Sequence, residues 1–69
     1  MTTEQLKEIF TYHAPSKEQQ VKYVTLREQA FNFALVLNDL CPESREKSLA
    51  ITNLQQCVMM ANASIAIHS

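Results

Sequence analysis

The sequence contains no glycine and no tryptophan. Glycine is the default residue where the backbone needs positive φ, as in tight hairpins and phosphate-cradling loops. Without it the chain has no P-loop and no dinucleotide-binding fingerprint. Long helices joined by plain connections are the architecture that remains. Cysteine is scarce as well: Cys41 and Cys57 form no CxxC pair and no disulfide framework. They read as reduced core thiols of a cytosolic protein. No apolar run reaches the roughly 18 residues of a membrane span. The start, Met1-Thr2-Thr3-Glu4-Gln5, lacks the basic and apolar segments of a signal peptide. Charge of one sign is also missing, with six basic and seven acidic residues and a formal net charge of −1. That balance argues against a general DNA or RNA polymer binder, which relies on phosphate neutralisation. A local basic pocket remains compatible with it.

What is present is short and rich in helix-forming patterns. The 69 residues make a single domain, 1–69. A monomer of this size buries only about 60% of its unfolded surface and is marginally stable. Since neither disulfides nor a metal site are indicated, association with other copies is the expected remedy.

Two prolines divide the chain into three helical candidates, at about 3–9, 16–40 and 44–67. In the first, Leu6, Ile9 and Phe10 recur at helical spacing, yet the segment is too short to persist in water undocked. Thr11-Tyr12-His13-Ala14-Pro15 follows as a loop, since Pro15 disfavours helix at Ala14. Ser16-Lys17-Glu18-Gln19 has the spacing of a capping box. The helix that it opens carries one stripe of Tyr23, Leu26, Ala30, Phe33, Ala34, Leu37 and Leu40. Val24, Phe31, Leu35 and Asn38 form a second. Two stripes call for cover on more than one side. Pro42 turns the chain, and Glu43-Ser44-Arg45-Glu46 places carboxylates near the start of the last helix, as its macrodipole favours. That helix presents Ala50, Ile51, Leu54, Cys57, Val58, Ala61 and Ile65. The short link makes the two long helices an antiparallel hairpin. The fold class is therefore all-α: a short N-terminal helix, then a long antiparallel αα-hairpin, assembled as a homo-oligomer.

Catalysis is not expected. His13 and His68 are the only histidines, the carboxylates are scattered, and no His/Cys/Glu spacing suggests a metal site. No cofactor is implied. The loop is the stronger candidate for chemistry. Tyr12 and His13 precede a capped helix N-terminus, where backbone N–H groups attract anions. Lys17, Lys22 and Arg27 follow on that helix. Aromatic rings beside cations are a common way to hold bases and phosphates. The plain alternative is that Tyr12 pins the loop, His13 caps a helix and the cations solvate a surface. Arg27 itself reads either as half of an exposed ion pair with Glu28 or as a planar fork for a phosphate or base edge. The Arg45-Glu46-Lys47 group reads as a charged helix start, and Met59-Met60 as adaptable packing.

Three segments resemble one family. They are Phe10-Thr11-Tyr12-His13-Ala14-Pro15, Cys41-Pro42-Glu43-Ser44-Arg45-Glu46-Lys47-Ser48-Leu49-Ala50 and Ala61-Asn62-Ala63-Ser64-Ile65-Ala66. In that order and spacing they look like the small helical-hairpin anti-CBASS proteins of phages, sponges for cyclic oligonucleotides. The resemblance implies a compact homo-oligomer, a hexamer, in the cytoplasm of the infected host. It would sequester cyclic dinucleotides such as 3′,3′-cyclic GMP-AMP without cleaving them, so that their effector stays off. It places ligand contacts on Tyr12 and Arg27, with His13 and Pro15 matching the loop motif. Two departures stand out. Some relatives use an arginine near the C-terminus for cyclic trinucleotides, where this chain reads Ala66-Ile67-His68-Ser69. A tryptophan after the methionine of the last helix is replaced in Met59-Met60-Ala61. A helical protein–protein interaction module without a small ligand is the competing reading.

Overall fold

The computed structural model of the chain describes residues 1–11 and 14–69; Tyr12 and His13 lie outside the described residues. Its helices are α1 (Thr3–Phe10), α2 (Lys17–Leu40) and α3 (Arg45–His68). Their starts are set by hydroxyl caps. Thr2 accepts from the Gln5 N–H at 3.1 Å while its own N–H donates to Gln5 Oε1 at 2.8 Å. Ser16 and Gln19 repeat that reciprocal box for α2, at 3.2 and 2.9 Å. Ser44 caps α3 by accepting from the Lys47 N–H at 3.1 Å. Ser16 is thus the cap that the capping box called for, and Ser44, expected inside the start of the last helix, is its cap. At its other end α1 is closed by Thr11, whose hydroxyl donates to the Lys7 carbonyl.

The turn between the long helices needs no left-handed residue. Among the described residues no φ is positive, which is how a chain without glycine reverses direction. Cys41 ends α2 in an extended conformation, and its N–H donates to the Leu37 carbonyl at 2.9 Å. Pro42 cannot continue the helix. Ser44 then donates to the Pro42 carbonyl at 3.1 Å, tightening the corner.

Helices α2 and α3 run antiparallel along a seam whose steps are mostly of three or four residues. On α2 the half-buried positions are Gln19, Tyr23, Leu26, Ala30, Ala34, Leu37 and Cys41. Opposite them stand Lys47, Ala50, Ile51, Leu54, Val58, Ala61 and Ile65. This spacing keeps one stripe of each helix facing the other, as in a coiled coil. The seam is narrower than the stripes drawn from the sequence. Phe33 is 53% and Leu40 73% exposed. Cys57, expected in the core, is exposed, and Cys41 is half-buried; both are free thiols. A single neighbouring helix covers a narrow strip, so Phe33, Leu40 and Cys57 stay in solvent, while the C-terminal part of α3 is half-buried more broadly, at 61–63 and 65–67.

Among the described residues no apolar side chain is buried, and the single buried residue is Lys47. The molecule measures 45 × 29 × 13 Å with a radius of gyration of 15.2 Å. A compact 69-residue domain would have a radius near 11 Å. The accessible surface of 5805 Å² compares with about 4,400 Å² for a compact monomer of this mass. The hairpin is a half-built core.

Candidate ligand-binding groove

The open end of the hairpin is built by Gln19. Its side-chain oxygen is committed to the Ser16 cap, while its Nε2 donates to the carbonyls of Ile65 at 3.2 Å and Ser69 at 3.0 Å. One amide therefore starts α2 and bonds two carbonyls at the C-terminal end of α3, that of Ile65, which also accepts from the Ser69 N–H at 3.1 Å, and that of Ser69 itself. Lys22 adds to the same clasp, donating to Ser69 Oγ at 2.7 Å. A cation there also suits the negative end of the α3 dipole.

The closed end is held by Lys47, which is 9% exposed. Its ammonium donates to the Asn38 carbonyl at 3.1 Å and to Glu43 Oε1 at 2.5 Å. Asn38 lies in the last turn of α2, so this carbonyl is another without a helical donor. The sequence reading assigned Lys47 to a charged helix start and missed this role. The signal was available: Lys47 lies three residues before Ala50 and four before Ile51, in phase with the seam.

Between these ends an open groove of about 570 Å³ runs along one side of the hairpin. Its walls are Arg27, Ala30, Phe31 and Ala34 from α2 and Ile51, Leu54, Gln55, Val58 and Met59 from α3. Arg27 is the one charged residue among them. The guanidinium makes no ion pair or hydrogen bond with the described residues, so the expected pairing with Glu28 is absent. Gln55 supplies an amide from the facing helix. A separate, shallower depression of about 500 Å³ lies on α2 beside Lys17, Gln20, Val21, Val24 and Thr25.

The candidate residues are therefore distributed. Lys17 borders the second depression, Lys22 is engaged at the clasp, and Arg27 lines the groove; the three cations do not converge. Pro15 is exposed ahead of the Ser16 cap, and its carbonyl accepts from Gln20 Nε2 at 3.5 Å. Arg27 stands 11 residues beyond Ser16, about 16 Å along the helix axis at 1.5 Å per residue. Within one chain the end of the loop and Arg27 thus lie at different levels of the hairpin. Tyr12 and His13, on which the other ligand contacts fall, lie outside the described residues. Gln55 and Met59 were not foreseen as groove residues. They become legible only once the hairpin pairing sets which side of α3 accompanies Arg27.

Among the described residues there is no cluster of three or more potential metal ligands. No helix is long and apolar enough to cross a membrane. No curated protein and no solved structure gives a significant match. The model of the Acb2/Tad1 hairpin domain, however, matches residues 2–66, nearly the whole chain. Together with the observed hairpin, that match places this chain in the Acb2/Tad1 hairpin family, the phage anti-CBASS sponges that bind cyclic oligonucleotides rather than transform them.

Proposed function

We propose that this chain sequesters cyclic dinucleotides, 3′,3′-cyclic GMP-AMP among them, in the cytoplasm of the infected host, and that it does so as a homo-oligomer, a hexamer. Held intact, the messenger does not reach its CBASS effector. The observation that carries this reading is the family match over residues 2–66. The guanidinium of Arg27, without a partner among the described residues and beside an open apolar groove, supports it, because a ligand with bases and phosphates needs both kinds of surface.

A cyclic dinucleotide has two bases and two phosphates about an approximate two-fold axis. A two-fold contact between copies supplies each contributing side chain twice. Two Tyr12 rings would stack on the two bases, at about 1–3 kcal/mol each. Two Arg27 forks would meet phosphates or base edges through charge-assisted bonds of roughly 1.5–3 kcal/mol each. His13 and Pro15, which match the family's loop motif, would add ligand contacts beside Tyr12. The four contacts together supply about 5–12 kcal/mol, from which association costs are subtracted. No group here is asked to move a proton or stabilise a transition state.

The test is to incubate purified protein with 3′,3′-cyclic GMP-AMP, remove free nucleotide, denature the protein and analyse what is released. Intact nucleotide is the expected result. Tyr12→Ala or Arg27→Ala should weaken capture at least tenfold, the equivalent of about 1.4 kcal/mol, while leaving the oligomer mass unchanged. Failure of the folded protein to retain nucleotide would favour a protein–protein interaction module. Recovery of a linearised product would identify an enzyme instead.

A further inference from the structure

Among the described residues that line the groove, Arg27 and Gln55 alone are polar, one on each wall. Gln55 is exposed and makes no hydrogen bond with the described residues. Its groove-side neighbours on α3, Ile51, Val58 and Met59, are apolar, so the amide serves no contact within the hairpin. The two walls are built alike. Phe31 follows Arg27 by four residues and Met59 follows Gln55 by four, which puts an apolar side chain one turn from a polar one on each helix. Phe31 is 63% and Met59 59% exposed, so both present their surface to whatever enters.

We propose that Gln55 reads the adenine edge of the bound cyclic dinucleotide, and that Arg27 and Gln55 together let one symmetric site hold two different purines. This inference rests on the nucleotide-capture reading above. Phe31 and Met59 suit the face of a base. Its edge, however, carries donors and acceptors that lose water in the groove and cost free energy if left unpaired. The groove walls offer that edge two groups, the guanidinium and the amide. Adenine sets an amine donor beside a ring-nitrogen acceptor, which a glutamine amide matches with its own acceptor and donor. The corresponding edge of guanine sets two acceptors side by side, and these match an arginine fork. A two-fold contact between copies presents the same residues to both halves of the ligand. In cyclic GMP-AMP the halves differ, so a half-site with one kind of polar group would leave one base edge mismatched. With both groups in every half-site, guanine takes Arg27 in one half and adenine takes Gln55 in the other.

The test measures dissociation constants of 3′,3′-cyclic GMP-AMP, cyclic di-AMP and cyclic di-GMP for the full-length parent, for Gln55→Met and for Gln55→Ala. Methionine keeps the length of the side chain and removes the amide; alanine removes both. The affinity for cyclic di-AMP relative to cyclic di-GMP should fall by about fivefold or more in both variants, the discrimination of a matched two-bond contact. Because the readout is a ratio within one preparation, a loss of folded protein cannot mimic it. A merely structural role for Gln55 would weaken both ligands alike and leave the ratio at the parent's value, which overturns the proposal. A parent that retains none of the three nucleotides overturns the capture reading and this inference together. A parent that binds them, with a ratio unmoved by either substitution, overturns only the role of Gln55.

Discussion

Replacing Lys47 tests whether the one buried charge of the hairpin stabilises it or merely tolerates its position. The ammonium is 9% exposed and reaches the Asn38 carbonyl at 3.1 Å. A hydrogen bond from a charged donor contributes about 1.5–3 kcal/mol. The ion pair with Glu43 adds little, because that carboxylate is 89% exposed and well screened. Against these gains stands the desolvation of the ammonium, several kcal/mol for a fully buried ion and less at this margin. Lys47→Met keeps the aliphatic stem, removes the donor and leaves the Asn38 carbonyl to water that reaches it poorly. A net loss of about 1 kcal/mol is expected. Lys47→Ala also deletes the stem from the seam and should lose about 2–3 kcal/mol in all. Glu43→Gln should lose less than about 0.5 kcal/mol. Urea denaturation followed by circular dichroism, at one fixed protein concentration because assembly couples to stability, measures all three. If Lys47→Met equals or exceeds the parent, the ammonium is a cost and the clamp is misread. If Glu43→Gln costs more than Lys47→Met, the exposed pair and not the carbonyl bond carries the energy.

Other residues lead to separate expectations. Ser16→Ala removes one half of the α2 capping box and should destabilise the protein by about 1 kcal/mol; hydrogen exchange should quicken at the start of α2 and leave the Pro42 turn unchanged. Gln19→Ala should cost more than Ser16→Ala in the same measurements, since it also removes the side-chain donor shared by the Ile65 and Ser69 carbonyls. Phe31→Asp places a charge in the groove at a position 63% exposed in the single chain. Helicity should survive while the assembly mass falls, so an unchanged mass by light scattering would show that this face is not an interface. Cys57, exposed, should react with a thiol reagent faster than half-buried Cys41 when assembly is suppressed by dilution.

How much of this was legible in the sequence depends on whether the controlling signal is local. The capping box at Ser16 and Gln19, the break at Pro42 and the freedom from glycine each act within a few residues, and each appears in the structure as read. Seam membership is different. Phe33, Leu40 and Cys57 are apolar and lie within a step of the seam, and composition alone cannot exclude them. Their exclusion follows from the angular width that one antiparallel neighbour covers, which is fixed by the pairing of α2 with α3. Lys47 was missed for the complementary reason: a charge in phase with an apolar stripe is usually a surface residue with its stem laid down. Here the turn supplies an orphan carbonyl within reach.

The site was less legible than the fold, and the physical reason lies in the kind of function involved. A catalytic centre needs acid–base or nucleophile pairs at fixed geometry, and such pairs leave recognisable spacing in a sequence. A sponge needs only enough complementary surface, with no group tuned to a transition state. An aromatic ring, a guanidinium and an apolar wall meet that requirement, and each looks like ordinary surface when viewed alone. The distribution of such parts in one chain is then informative. Ser16, just after the loop, and Arg27 lie about 16 Å apart along the hairpin, and the groove beside Arg27 has walls but no cover. A ligand with two bases and two phosphates is met by repeating a small set of residues across a two-fold contact rather than by gathering many in one chain. On this view the missing core and the diffuse site have one cause. Under the proposed function, the apolar surface that leaves the chain half-built would be the surface that joins copies, and that joining would complete the binding site.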